Sequence, residues 1–109
     1  RAYYIKVGRK VSVFLNTAVT GGNSNGFSVT LPFAAITSGY TGASQGVEAV
    51  GTAMLYNASM PSSTYNVNVY CWSTTATLYA SRTGMAWTAL QGNQVGSSII
   101  LTATYVSGW

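Results

Sequence analysis

Asn66, Asn68, Tyr70 and Trp72 occupy alternate positions of the stretch NVNVYCW, so they share one face of an extended strand. Two amides and two amphipathic rings without a charge are poor tools for proton transfer or metal binding. They are good tools for stacking on and hydrogen-bonding to a neutral molecule. A neutral saccharide presents a C–H surface to such rings and hydroxyl groups to such amides. The same residue types suit a sister chain or an opposing sheet, and a place in mid-strand favours that interface reading over a ligand. A second set lies in the loops: Tyr40, Tyr65 and Trp87, with Asn23, Asn25, Gln91 and Asn93. Loops on a rigid scaffold often carry recognition, but Asn and Gly are also what turns require. Turn chemistry is the expectation for the Asn residues, whereas recognition and packing stand level for Tyr40 and Trp87. Trp109 fits an exposed terminal ring or a plug at an assembly axis.

Other chemistries lack their residues. The chain has no His and a single acid, Glu48, whereas glycoside hydrolysis of the usual kind needs two carboxylates. Without His, a nucleophilic Ser or Cys would need Lys as its base, and neither Lys6 nor Lys10 has a Ser-x-x-Lys spacing. One Cys and one Glu fall short of a metal site. Gly21 and Gly22 lack the helix and Lys of a phosphate cradle. No catalytic residue, cofactor or metal is therefore expected. Asn57-Ala58-Ser59 matches a glycosylation sequon, a pattern short enough to arise by chance.

The elements that must position the candidate faces are strands. Val, Ile, Thr and aromatic residues recur between Gly, Asn and Ser clusters, and no helix of useful length is expected. AYYIKVG and RKVSVFLNTAV read as a hairpin about a Gly8-Arg9 turn, with Val11, Val13 and Leu15 on one face and Phe14 on the other. FSVTLPF aligns Phe27, Val29 and Leu31 before Pro32 ends it as a ladder strand. Residues 34–46 read as a long loop and GVEAVGTAMLYNASM as a long strand. The opening stretch divides near STT into strands over residues 65–73 and 76–82, with Val67, Val69 and Cys71 facing the core. A short strand follows around Trp87, and SSIILTATYV is a buried closing strand. These amount to about eight strands, the count of an antiparallel β-sandwich of jelly-roll type.

Composition adds a constraint. The chain has 109 residues, 48% hydrophobic but only 6% charged, against about a quarter charged in an ordinary domain. A surface so poor in charge suits an oligomer, and Phe14 on the second face points the same way. The net charge of +4 comes largely from Arg1, Lys6, Arg9 and Lys10, all within the first ten positions. That is one short patch rather than the basic stripe of a nucleic-acid binder. No run of about 20 apolar residues is present to span a bilayer as a helix, and RAYYIKV has no signal-peptide apolar core. Lone Cys71, beside Val67 and Val69, reads as a small buried hydrophobe.

Tyr4, Lys6, Gly8, Val11 and Val13, then Val29 to Phe33, Gly51 and Ile99 to Tyr105 resemble a C-terminal domain of tailed-phage tail fibres and tailspikes. That pattern is a Y-x-K-x-G-x-x-V-x-V hairpin, an I-T-L-P-F strand, a Gly/Ala-rich strand and a closing I-x-x-T-x-x-Y strand. The resemblance implies one β-sandwich over residues 1–109, a fragment of a longer chain, usually homotrimeric and placed at the tip of a virion fibre. It implies non-catalytic attachment to a bacterial surface polysaccharide or lipopolysaccharide. A trimerisation cap without receptor contact and a virion decoration module are the alternatives. It carries over no sugar-contacting residue.

Overall fold

The computed structural model describes residues 1–20, 22–35 and 50–108. Tyr40, Glu48, Trp109 and the start of the long strand expected from residue 46 lie outside these. The described residues form β1 (Ala2–Val7), β2 (Lys10–Ala18), β3 (Ser28–Thr30), β4 (Val50–Tyr56), β5 (Thr64–Trp72), β6 (Thr75–Arg82), β7 (Thr88–Ala89) and β8 (Ser98–Val106). All eight join one antiparallel sheet, ordered β1-β2-β8-β4-β5-β6-β3 with β7 paired to β6. The fold class is the all-β one expected, and the sheet curls into a half-barrel, compatible with a sandwich-like fold.

Turn chemistry sets the hairpins. Val7 pairs with Lys10 across Gly8-Arg9, and Gly8 takes a φ of 60°. A positive φ at the first of two turn residues matches a type II′ turn, whose twist suits the flanking strands. Trp72 pairs with Thr75 across Ser73-Thr74, with Ser73 at a φ of 52°. Asn57 also takes a positive φ of 59°, so β4 ends at Tyr56 rather than running on to Met60 as the apolar pattern suggested. FSVTLPF contributes only Ser28–Thr30 to the ladder, because its partner β6 begins at Thr75 and Leu31 already bonds to the turn carbonyl of Thr74. The short strand expected around Trp87 falls just after it, at Thr88–Ala89.

Alternation then sorts the two faces. Inward, Val69 pairs with Leu78 and Cys71 with Ala76, while Val11 pairs with Tyr105 and Leu15 with Leu101. Val11, Val69, Cys71, Leu78, Ile99 and Tyr105 are fully buried, each large aliphatic side chain contributing about 1.5–3 kcal/mol by leaving water. Tyr105 keeps its polar tip satisfied by donating to the carbonyl of Phe33 at 2.7 Å and accepting from its amide at 3.3 Å. Gly51 marks a close approach: a Cβ there would strike the Thr102 carbonyl oxygen and lie 2.7 Å from the Ala103 Cβ. β4 can therefore seat against β8 only with glycine at this position.

Candidate functional site

β5, β6 and β7 place the candidate residues on the outward face. The Trp72–Thr75 register sets Tyr70 opposite Thr77 and Asn68 opposite Tyr79. β7 pairs Ala89 with Tyr79, which brings Trp87 beside the same rings. Tyr70 and Trp72 lie nearly parallel, 17° apart with centroids at 6.1 Å. Tyr79 meets Tyr70 edge-on at 6.2 Å, and Trp87 lies 5.4 Å from Tyr79 and 6.3 Å from Tyr70. The four rings form one cluster, with Trp87 62% and Trp72 38% exposed at its margins. Among the described residues, no opposing strand packs on the Tyr70 ring. Its partners within the described residues are Trp72, Tyr79 and Trp87.

Two cavities flank the central tyrosines. One, of about 270 Å³, is lined by Tyr70, Trp72, Thr75, Thr77 and Tyr79. The other, of about 330 Å³, lies toward β4 and is lined by Val50, Thr52, Asn68, Tyr70, Tyr79 and Trp87, with backbone from Gly51 and Val69. Asn68 donates to Ser81 Oγ and accepts from the Asn66 amide, each at 3.4 Å, so its own amide is held in place beside the second cavity. The Tyr70 hydroxyl is buried and has no hydrogen-bond partner among the described residues. Burial, with the Tyr79 phenol beside it as a lesser cause, raises the Tyr70 pKa above its ordinary value. An unsatisfied buried hydroxyl is uncommon in a folded protein.

Arg82 anchors the margin on which Trp87 sits. Its Nε donates to the Ser62 carbonyl at 2.8 Å, Nη2 to Ser62 Oγ at 3.0 Å and Nη1 to Thr88 Oγ1 at 3.2 Å. The guanidinium is thus committed to neutral acceptors and ties β7 to β6 and to the loop before β5.

The structure therefore assembles Asn68, Tyr70, Trp72 and Trp87 from the sequence candidates. Tyr65 does not join them. Thr64 pairs with Arg82 and Asn66 with Ser81, so Tyr65 is the extra residue of a bulge and stands exposed away from both cavities. Tyr40 lies outside the described residues. The loop amides serve turn chemistry: Asn23 Oδ1 accepts from the Asn25 amide, and the Asn23 and Asn25 carbonyls bond to Asn93 and Gly92. Cys71 is fully buried, and burial pushes its thiol up to about 11, which fits a packing residue rather than a nucleophile. Sequence reasoning missed Tyr79. Counting outward from the Ser73-Thr74 turn pairs it with Asn68 and would have found it.

The outward face of the opposite end differs. Tyr3 stacks on Phe14 at 4.7 Å and 16°, so the ring that suggested a covering neighbour is covered by its own hairpin partner. No family model, curated protein or solved structure matches this chain.

Proposed function

We propose that this chain is a non-catalytic glycan-binding domain whose contact surface is the Tyr70–Trp72–Tyr79–Trp87 cluster. The observation that carries the reading is the pairing of four exposed or half-buried rings with threonine hydroxyls and an amide, on a rigid sheet. Rings supply apolar contact and a few fixed polar groups supply orientation, the usual division of labour in small-ligand sites. The likeness to tail-fibre tips suggests the source of the glycan, a bacterial surface polysaccharide or lipopolysaccharide, and a place at the distal end of a virion fibre. The test is retention of the purified chain on a panel of bacterial cells and on polysaccharide extracted from them. Binding to both, weakened by Trp87→Ala, supports the reading; retention on neither at high protein concentration ends it.

A second reading, assembly as a homotrimer, has its own support. Val50, Met54, Tyr56 and Ile100 are all exposed and, by register, share the outer face of β4 and β8. Such an uncharged apolar band is the kind that copies of a chain bury against each other. Light scattering at low protein concentration decides between a trimeric mass, which supports it, and a monomeric mass, which does not.

A further inference from the structure

Two cavities rather than one flank the aromatic cluster, and each has a tryptophan of its own. Trp72 walls the first and Trp87 the second, while Tyr70 and Tyr79 line both. At about 270 and 330 Å³ each is near the lower limit of small-ligand pockets, which run from about 300 Å³ upward. Trp72 and Trp87 each neighbour Tyr70, at 6.1 and 6.3 Å between ring centroids, and neither lines the other's cavity. One sugar ring stacks on one indole, so a ligand that used both tryptophans would be a chain of rings.

Charge narrows the ligand further. Among the described residues, neither lining contains Lys, Arg, Asp or Glu. Arg82, the basic residue of β6, has three of its donors engaged by Ser62 and Thr88. A carboxylate or sulfate settling against either lining would meet rings and hydroxyls but no cation to repay the water it gives up. Hydroxyl groups, by contrast, find Thr52, Thr75, Thr77, Tyr79 and the Asn68 amide around them.

Resting on the glycan-binding reading above, we infer that the two cavities are consecutive subsites for an uncharged glycan segment of at least two sugar units. One ring stacks on Trp72 and another on Trp87, and the Tyr70–Tyr79 pair forms the ridge they share. Acidic glycans bearing uronate or sialate are excluded for want of a cation.

The test uses the whole chain on an immobilised panel of neutral hexose and N-acetylhexosamine glycans and of uronate- and sialate-bearing ones, each from monosaccharide to tetrasaccharide. The expected result is binding of a neutral oligosaccharide at least about tenfold tighter than its constituent monosaccharide, about 1.4 kcal/mol. Trp72→Ala and Trp87→Ala should each remove that advantage, whereas Trp72→Phe and Trp87→Phe, which keep a ring, should retain part of it. Thermal melts of all four variants separate lost binding from lost folding. Preference for acidic glycans, equal binding of monosaccharide and oligosaccharide, or indifference to one of the two tryptophans would overturn the two-subsite inference while leaving glycan binding in place. Absence of binding to every glycan would instead overturn the glycan-binding reading itself.

Discussion

Two aromatic regions occupy opposite ends of one sheet and are built differently. At the β1–β2 end, Tyr3 and Phe14 close on each other at 4.7 Å. Around them runs a groove of about 240 Å³ whose lining is almost wholly carbon: Tyr4, Val13, Leu15, Val29, Leu31 and Leu101 among others. At the β5–β7 end, four rings keep centroids 5.4–6.3 Å apart and leave spaces edged by hydroxyls and an amide. Ring number alone does not separate a packing cluster from a recognition surface. The separation of the stacked pair, 4.7 Å at one end and 6.1 Å at the other, and the polar groups set beside the rings do.

The largest expected effect lies at the joint between these regions, where β4 meets β8. Gly51→Ala would drive a methyl into the Thr102 carbonyl and the Ala103 side chain, in a place where backbone rather than a flexible side chain must yield. A loss of about 3 kcal/mol is expected in urea unfolding, and a loss below about 1 kcal/mol would mean that the two strands are not so closely seated.

Next, the two ends should respond oppositely to ring removal when glycan binding is read. Trp87→Ala should weaken binding at least about tenfold, whereas Tyr3→Ala should leave it within about twofold. Equal losses would dissolve the distinction. A similar magnitude, with reversed sign, is expected for stability at Tyr70. Replacing it by Phe removes a buried hydroxyl that has no partner among the described residues and should raise stability by about 1–2 kcal/mol. A loss of stability on Tyr70→Phe would show that the hydroxyl has a partner after all.

Arg82→Ala breaks three hydrogen bonds to Ser62 and Thr88. Its expected cost is about 1 kcal/mol of stability, because these bonds from a charged guanidinium to neutral acceptors are largely exposed. Faster amide exchange should appear in β7 and not in β1, and unchanged exchange in β7 would remove Arg82 from its anchoring role.

The smallest effect is alkaline. Burial raises the Cys71 thiol from 9.0 to about 11, so the folded chain holds that proton more tightly than the unfolded one. The resulting stabilisation is complete below about pH 9 and is lost as pH rises toward about 11. The Tyr70 and Tyr105 phenols, both raised chiefly by burial, extend the same loss to higher pH. Cys71→Ala should flatten the first part of that decline in a series of melts.

Much of this was legible in the sequence, for reasons that are local. Alternation along NVNVYCW gave the inward face of Val69 and Cys71 and the outward face of Tyr70 and Trp72, and Gly8-Arg9 fixed the first hairpin. What was not legible depends on strand order. β8, from the far end of the chain, inserts between β2 and β4, and no local pattern announces that Val50 and Thr52 will edge the cavity beside Trp87. Tyr65 misled because it reads as a loop residue, whereas it lies within β5 as the extra residue of a bulge, which only the pairing of Thr64 with Arg82 reveals.

The most direct measurement is a nuclear magnetic resonance titration of the isotope-labelled chain with the best-binding neutral oligosaccharide of the panel. The account predicts that the indole N–H signals of Trp72 and Trp87 shift together and saturate at one dissociation constant, while the amides of Tyr3 and Phe14 stay still. Shifts confined to the β1–β2 end, or none anywhere, would contradict it.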